Sequence, residues 1–107
     1  MLARLADPAI VGHVDNGETD AGFYCAYGLA VQLLPSATAG CRDDLFGSGR
    51  AMLGHAGDAY GLRSGLWVDP ARGVGIAFFA IGNGEDPPRG RSAYRAIEER
   101  LAARLAR

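Results

Sequence analysis

The stretch that decides the fold reads GHAGDAYGLRSGLWVDPARG and runs from Gly54 to Gly73. It contains a strand with a His-x-Gly triplet, a glycine-containing connection, a second strand and a tight Asp-Pro-x-x-Gly turn. Proline suits the first central position of a type I turn, and Gly73 can take the left-handed conformation that restores the strand register. The stretch therefore predicts consecutive antiparallel strands joined by short turns.

Apolar segments on both sides of this stretch extend the sheet. We expect four strands, at residues 23–34, 50–57, 59–68 and 74–81. In the first strand, period-two spacing places Tyr27, Leu29, Val31 and Leu33 on one face and smaller residues on the other. The last strand is apolar enough to be central in the sheet. Residues 35–49 are expected to form a long loop between the first two strands.

An amphipathic helix is expected to close the chain. Its predicted span is residues 93–106, with Ser92 as N-cap and an apolar stripe of Tyr94, Ile97, Leu101 and Leu105. We expect residues 1–22 to be an irregular lead-in, residues 23–81 to hold the strands, and residues 92–106 to hold the helix. The predicted fold class is α+β: one domain over residues 1–107, with the helix packed on one face of an antiparallel sheet.

Composition narrows the class of protein. The chain has 107 residues and a formal net charge of −1, so its bulk charge predicts no nucleic-acid partner. It has no run of about 18 apolar residues and no charged-then-apolar start, which predicts neither a membrane span nor a signal segment. Every fixed basic side chain is an arginine, so chemistry that needs a lysine is excluded within this chain. We expect no cofactor.

The order of these segments carries a family resemblance. A strand with His55-Ala56-Gly57, a second strand, the Asp-Pro-x-x-Gly turn, an apolar strand and a closing helix resemble the C-terminal portion of the serine β-lactamase, penicillin-binding-protein-like and class C esterase family. The resemblance extends from about Phe23 to the end of the chain, and its specific part is the block from His55 to Gly73. It implies a partial β-lactamase or transpeptidase-like fold in a bacterial protein of the periplasm or the cytoplasm.

The resemblance also implies roles for individual residues. In that family a Lys/His-x-Gly triplet on a sheet strand borders the active site, so His55 would hold the substrate or assist proton transfer. The backbone N–H of Asp58 would supply one oxyanion-hole donor, a contribution of about 3 kcal/mol to catalysis. Ala56, Gly57 and Tyr60 would contact the substrate, and Gly57 would leave room for it against the strand.

Two features depart from the family pattern. The nucleophile motif Ser-x-x-Lys and the Tyr/Ser-x-Asn motif are missing from this chain. Asp58 stands where small or polar residues are usual, and its carboxylate is expected to repel an anionic substrate.

We therefore expect the C-terminal wall of a serine hydrolase that acts on an ester, amide or peptide bond through an acyl-enzyme. The nucleophile would lie outside this chain, and the chain alone should be inactive. The alternative is a stand-alone binding or self-assembling module derived from that fold. The expected partner is the missing N-terminal part of the same enzyme, or a second copy bound through the open sheet.

Three further side chains are expected to have structural roles. Ser64 lacks the Gly-x-Ser-x-Gly surroundings of an exposed nucleophile, so we expect it to form turn or strand-capping hydrogen bonds. Arg63 is interpreted as a surface or loop-anchoring charge. Trp67 is interpreted as a packing residue of the core or of a sheet edge.

No metal site is predicted. Two pairs of residues, Asp43 with Asp44 and Asp58 with His13, could be imagined as ligands, but their spacing matches no known ligand pattern. Carboxylates on solvated loops explain them more simply.

The two cysteines, Cys25 and Cys41, also lack the paired spacing of a zinc site. We expect both to be unpaired. One disulfide is the alternative, because Cys25 opens a predicted strand and Cys41 lies in the loop that follows it.

Overall fold

The computed structural model describes residues 20–36 and 39–106. These residues form a single antiparallel sheet with one helix against it, the α+β arrangement that the sequence predicts. The elements in chain order are β1 (Gln32–Leu34), β2 (Met52–Ala59), β3 (Leu62–Asp69), β4 (Val74–Ala80) and α1 (Ala96–Leu105). The strands lie in the order β1-β2-β3-β4, each antiparallel to its neighbours. Most of the predicted lead-in, residues 1–19, lies outside the described residues.

A two-residue turn joins β2 to β3. Tyr60 and Gly61 both have positive φ, 53° and 79°, as the type I′ hairpin turn requires, and they leave Ala59 paired with Leu62. The third strand therefore begins three residues later than the predicted start at residue 59. The turn matters for the site below because it fixes which backbone groups of β2 face β3.

The second hairpin matches the prediction. Asp69 accepts hydrogen bonds through its side chain from the N–H groups of Ala71 and Arg72, and through its carbonyl from Gly73. Gly73 has φ of 67°, the left-handed conformation expected after the turn. The Asp-Pro-x-x-Gly signature thus sets the register of β3 and β4.

The first strand is much shorter than predicted. A continuous strand over residues 23–34 is wrong, because the chain reverses at Leu29 and Ala30, where Ala30 has φ of 63°. The N–H of Gly28 donates to the carbonyl of Val31, and Tyr27 returns to pair with Gln32. This tight local turn competes successfully with the period-two pattern, so β1 spans three residues only.

The core lies between the sheet and α1. Its side chains alternate along each strand and converge on Trp67, which is fully buried, with Leu34, Leu45, Met52, Ile76, Phe78, Tyr94 and Ala102. Large aromatic residues dominate this small core, and the rings of Phe46 and Tyr94 meet that of Trp67 edge to face.

The helix begins later than predicted, and its buried face differs. Arg95, rather than Ser92, is the N-cap, and its N–H donates to the carboxylate of Glu98. Glu98 and Ala102 are the helical residues that become buried, whereas Leu105, expected in the apolar stripe, is exposed. Tyr94 packs in the core from the segment before the helix. Ala102 joins the core cluster, and Leu101 packs against it partly buried.

A disulfide joins Cys25 to Cys41, with 6.1 Å between their Cα atoms. The expectation of two unpaired cysteines is therefore wrong, and the alternative holds. Asp43, expected to be a carboxylate on a solvated loop, is buried and accepts the N–H of Ser36 on both carboxylate oxygens. Asp44 accepts the N–H of Gly47. These contacts tie the loop to the segment before β2, so Asp43 is not a solvated acid.

The last strand is at an edge of the sheet rather than central. Among the described residues only β3 pairs with β4. The chain leaves the sheet after Ala80, and residues 81–106 add no further strand there. Asn83 bonds back to the carbonyls of Gly61 and Ala80, and the chain then crosses towards α1. The face of the sheet opposite α1 carries exposed apolar side chains, among them Leu66 (62% exposed) and Phe79 (73%), and Ile81, which directly follows β4, is also exposed (74%).

Within the described part of the chain, no helix has the length and apolarity needed to cross a membrane.

Candidate active site

The candidate site lies where β2 extends beyond its partner β1. The pairing of β1 covers only Met52 to Gly54, whereas β2 continues to Ala59. The reversal of the chain at Leu29 and Ala30 is what ends β1 there. Among the described residues, no strand pairs with this side of β2 from His55 onwards.

A cleft of about 350 Å³ occupies this open edge. Its floor is the edge of β2, one side is the start of α1 with the segment before it, and the other is formed by Asp20, Phe23 and Tyr24. It is lined by Asp20, Phe23, Tyr24, His55, Ala56, Gly57, Asp58, Arg63, Arg89, Ala93, Arg95 and Glu98. The structure therefore brings the predicted residues His55, Ala56, Gly57 and Asp58 together in one concave site, which we call the β2 cleft.

The backbone N–H of Asp58 is directed towards the β2 cleft. Hydrogen-bonded and non-hydrogen-bonded pairs alternate along an antiparallel ladder, and a two-residue turn makes the flanking pair, Ala59 with Leu62, a hydrogen-bonded one. The next pair, Asp58 with Arg63, is then non-hydrogen-bonded. The N–H of Asp58 consequently turns away from β3 and towards the open edge, the direction that an oxyanion-hole donor needs.

Both ring nitrogens of His55 have close partners. Nδ1 lies 2.5 Å from the carbonyl oxygen of Ala56, and Nε2 lies 2.7 Å from the hydroxyl oxygen of Tyr27. A carbonyl can only accept, so the hydrogen of the neutral ring is on Nδ1. Nε2 is then the acceptor, and Tyr27 donates its hydroxyl hydrogen. The ring is exposed and held perpendicular to that of Tyr27.

Tyr24 is a further ionisable group of the cleft. Burial raises the pKa of its hydroxyl, and the nearby Tyr27, Asp20 and Asp58 raise it further. Tyr24 therefore remains protonated near neutral pH, when it can donate and accept hydrogen bonds at the cleft. The ring centroids of Tyr24 and Tyr27 are 6.3 Å apart, so Tyr24, Tyr27 and His55 form a connected aromatic group.

Charges in the cleft are largely paired. Arg63 donates to the carboxylate of Asp58 at 2.7 Å, and Arg95 donates to Asp86 at 2.6 Å. Arg63 is buried, not the surface or loop-anchoring charge that the sequence suggests. Because Asp58 is neutralised by Arg63, its carboxylate is a weaker barrier to an anionic substrate than expected from the sequence.

Glu98 contributes the buried carboxylate of the site. Burial raises the pKa of Glu98, while the N–H of Arg95 and the guanidinium groups of Arg63 and Arg95 act in the opposite direction. Its position one turn into α1 brings a titratable group close to the Asp58–Arg63 pair. A buried acid beside an ion pair in a cleft is a pattern that is frequent at functional sites.

The remaining predicted site residues are placed as follows. Tyr60 is fully exposed at the tip of the β2–β3 turn and does not line the β2 cleft. Gly57 lines the cleft, but a side chain at this position would collide with the hydroxyl of Ser64 across the ladder. The position that a Cβ of residue 57 would occupy is therefore taken by Ser64 and is not free for a substrate. Ser64 is half-buried on β3 beside Gly57. The substrate-binding role of Tyr60 stays a prediction that no contact supports.

The sequence missed several residues of the cleft. The sequence pattern places Tyr24 in a continuous strand and Arg89, Arg95 and Glu98 in a loop and a helix, with no role in a site. Tyr27, in the same predicted strand, does not line the cleft itself but hydrogen-bonds to His55. The spacing Tyr-x-x-Tyr just before a Gly-Leu-Ala turn is the signal that could have placed the two tyrosines together. Among residues 20–36 and 39–106, no group of three or more His, Cys, Asp or Glu side chains could hold a metal ion, and His13 lies outside these ranges.

Comparison of the chain with protein-family models, with curated proteins and with solved structures gave no match. The resemblance to serine β-lactamases and their relatives therefore rests on the residues of this chain, and we carry it forward as a proposal.

Proposed function

We propose that this chain supplies the C-terminal wall of the active site of a β-lactamase-like serine hydrolase. The complete enzyme would attack an ester, amide or peptide carbonyl with a serine from outside this chain and form an acyl-enzyme. The observation that carries the proposal is the open edge of β2, where the His-x-Gly triplet and the outward N–H of Asp58 meet in one cleft.

The oxyanion donor is the best-defined part of this site. A fixed N–H group stabilises the charge that develops on a carbonyl oxygen without reorganising during the reaction. The N–H of Asp58 is held in a regular ladder, and the side chain of Asp58 is held by Arg63. Both constraints keep the backbone N–H of Asp58 in one orientation, which is what a preorganised hydrogen-bond donor requires.

His55 and Tyr27 supply proton-transfer capacity at the same edge. Donation from the Tyr27 hydroxyl to Nε2 of His55 forms a short relay that a substrate or a serine hydroxyl approaching this edge could extend. An imidazole ring can both donate and accept a proton, so the pair suits general acid–base chemistry during acylation.

The charge balance of the cleft bears on the substrate class. Three arginines line it, Arg63, Arg89 and Arg95, together with the acids Asp20, Asp58 and Glu98. This balanced set favours neither strongly cationic nor strongly anionic substrates, so we assign the substrate as an ester, amide or peptide and leave its charge open.

The decisive test is to sequence the reading frame that encodes the chain and to measure the activity of the full-length protein that this frame encodes. An in-frame Ser-x-x-Lys upstream of Met1, labelled covalently at its serine by a fluorophosphonate, would support the proposal. The chain alone should not hydrolyse a short-chain nitrophenyl ester. An upstream frame without Ser-x-x-Lys, or turnover by the chain alone that disappears in Ser64→Ala, would overturn it.

A stand-alone binding or self-assembling module is the second candidate. It is favoured by the exposed apolar face opposite α1, with Leu66 and Phe79, because contiguous apolar surface commonly marks an interaction site. The same sequencing experiment separates the two candidates, since a module of this kind needs no nucleophile.

A further inference from the structure

We propose that two copies of the chain associate through the free edges of β4, which pair antiparallel about a two-fold axis centred on Ala77. The proposal specifies the self-assembling candidate above and does not depend on the hydrolase assignment. It is drawn from the backbone register of β4, its composition and the space around Gly75.

The edge of β4 lacks the features that protect edge strands. Natural edges are commonly blunted by charged residues, proline, bulges or short length. Val74–Ala80 reads VGIAFFA, seven residues without charge or proline, in an unbroken one-to-one register with β3. Such an edge is suited to strand addition.

The register determines which backbone groups are available. Hydrogen-bonded and non-hydrogen-bonded pairs alternate along β2 and β3 from the two-residue turn, and the pair of Gly54 with Trp67 is non-hydrogen-bonded. The N–H and C=O of Trp67 are therefore directed towards β4, where Trp67 pairs with Ile76. The β4 residues between the hydrogen-bonded ones, Gly75, Ala77 and Phe79, therefore direct their N–H and C=O groups outwards. All three are exposed.

These outward groups complement a second copy of themselves. When Ala77 lies opposite Ala77 of the second copy, Gly75 lies opposite Phe79 and Phe79 opposite Gly75. Every outward N–H then meets an outward C=O in hydrogen-bonded pairs. A shift by one residue would place outward groups opposite inward ones, so the register is well specified.

The side chains fit the same register. Gly75 and Phe79 lie on the face opposite α1, where Phe79 is 73% exposed. A Cβ at Gly75 would approach only the carbonyl oxygen of Trp67, at 3.9 Å, so the space above Gly75 is open. The ring of Phe79 from the second copy would cover it, a cross-strand pairing of an aromatic residue with an edge glycine that stabilises sheets.

The axis places both α1 helices on one face of a continuous eight-stranded sheet, since four strands come from each copy. The exposed apolar side chains gather on the opposite face, and the β2 cleft of each copy remains open because it lies on the far side of β2 from β4.

The test is sedimentation equilibrium of the whole chain and of two lysine variants with the same change in charge. Ala77→Lys places two ammonium groups opposite each other at the axis, and we expect it to be monomeric at high micromolar concentration where the parent chain is dimeric. Leu66→Lys, on the same face but on β3, should remain dimeric. A monomeric parent chain, or loss of the dimer in Leu66→Lys but not in Ala77→Lys, would overturn the proposal.

Cysteine crosslinking tests the register without relying on a destabilising change. The two native cysteines are already joined, so an introduced cysteine is the only free thiol among the described residues. In the proposed register, residue 77 of each copy lies about 5.5 Å from its equivalent, close enough for a disulfide. The two copies of residue 81 are about 26 Å apart along the strands. Mild oxidation should crosslink Ala77→Cys and not Ile81→Cys, and equal crosslinking of both would contradict the register.

Discussion

Arg63 and Asp58 face each other across the β2–β3 ladder, and the guanidinium of Arg63 lies 2.7 Å from the carboxylate of Asp58. The pair is asymmetric, since the side chain of Arg63 is 10% exposed and that of Asp58 is 59% exposed. The arginine is therefore the desolvated member, and Asp58 provides its counter-charge at the rim of the cleft.

This asymmetry predicts that Asp58→Asn lowers stability by about 1–2 kcal/mol, because the buried guanidinium loses its charged partner. Asp86→Asn is the comparison, since its partner Arg95 is similarly buried (13% exposed) but also donates to the carbonyl of Pro87, and we expect a change of about 0.5 kcal/mol or less. Urea denaturation of both variants checks this. Equal effects would show that the second acceptor of Arg95 does not compensate for its lost carboxylate, and would contradict the assignment of Asp58 as the partner on which Arg63 depends.

Neighbouring helix carboxylates should have opposite effects on the pH dependence of stability. Burial raises the pKa of Glu98 in the folded chain. Burial also opposes ionisation of Glu99, but hydrogen bonds from the side chain and N–H of Ser92 and from the N–H of Arg91 lower its pKa overall. Glu98 thus contributes stability below the unfolded-state pKa that is lost as pH rises through its folded pKa. Glu99 contributes stability above the unfolded-state pKa that is lost as pH falls through its folded pKa.

The corresponding glutamine variants should separate these two effects in denaturation experiments from pH 3 to pH 8, a range set around the ordinary glutamate pKa of about 4.3. Relative to the parent chain, Glu98→Gln should become more stable as pH rises, and Glu99→Gln less stable. If the stability difference from the parent chain changed with pH in the same direction in both variants, burial would not be what governs the ionisation of Glu98.

Gly54 should tolerate no side chain. A Cβ at this position would collide with the carbonyl of Leu66 and approach the Cα of Trp67 at 2.8 Å, and backbone atoms of a central strand cannot move aside. We expect Gly54→Ala to lower stability by about 3 kcal/mol or more, the scale of overpacking against a fixed backbone. Gly75→Ala, measured at low concentration where association is negligible, should change it by about 1 kcal/mol or less because the space there is open. Similar losses in both variants would count against the close approach of β2 and β3.

In the complete enzyme, His55 is expected to matter more for turnover than for folding. Its ring is exposed, so His55→Ala should leave the melting temperature within a few degrees while lowering the acylation rate by roughly a hundredfold. Tyr27→Phe removes only the hydroxyl that donates to Nε2, and it should lower the acylation rate by less than His55→Ala does. Unchanged activity with a collapse of stability in His55→Ala would make His55 a structural residue and contradict the proposed site.

Local chemistry in the sequence was enough to predict the second hairpin. The Asp-Pro-x-x-Gly turn places its constraints within five residues: Asp69 binds the next two available N–H groups, and Gly73 takes positive φ. The pattern of apolar segments was likewise enough to predict the α+β class, because it reflects the geometry of strands and helices directly. It left open whether Trp67 packs in the core or at a sheet edge, and the structure buries it in the core.

Contacts between distant segments decided the rest. The turn at Ala30 shortened β1 and thereby opened the edge of β2. A period-two pattern cannot show that such a turn is more favourable than a continuous strand. Pairing of Cys25 with Cys41 depends on a loop folding back over 16 residues. Tyr27 reaches His55 across 28 positions.

The sequence by itself determined the Asp-Pro-x-x-Gly turn, the antiparallel strands on either side of it and the position of the His-x-Gly triplet on a strand, because each depends on neighbouring residues. Only the tertiary structure decided that Arg63 is buried against Asp58, that Glu98 enters the β2 cleft, and that β4 is an edge. The physical reason is that burial and charge pairing are properties of segments brought together in space. The sequence shows which side chains are present, while tertiary packing determines which of them are in contact.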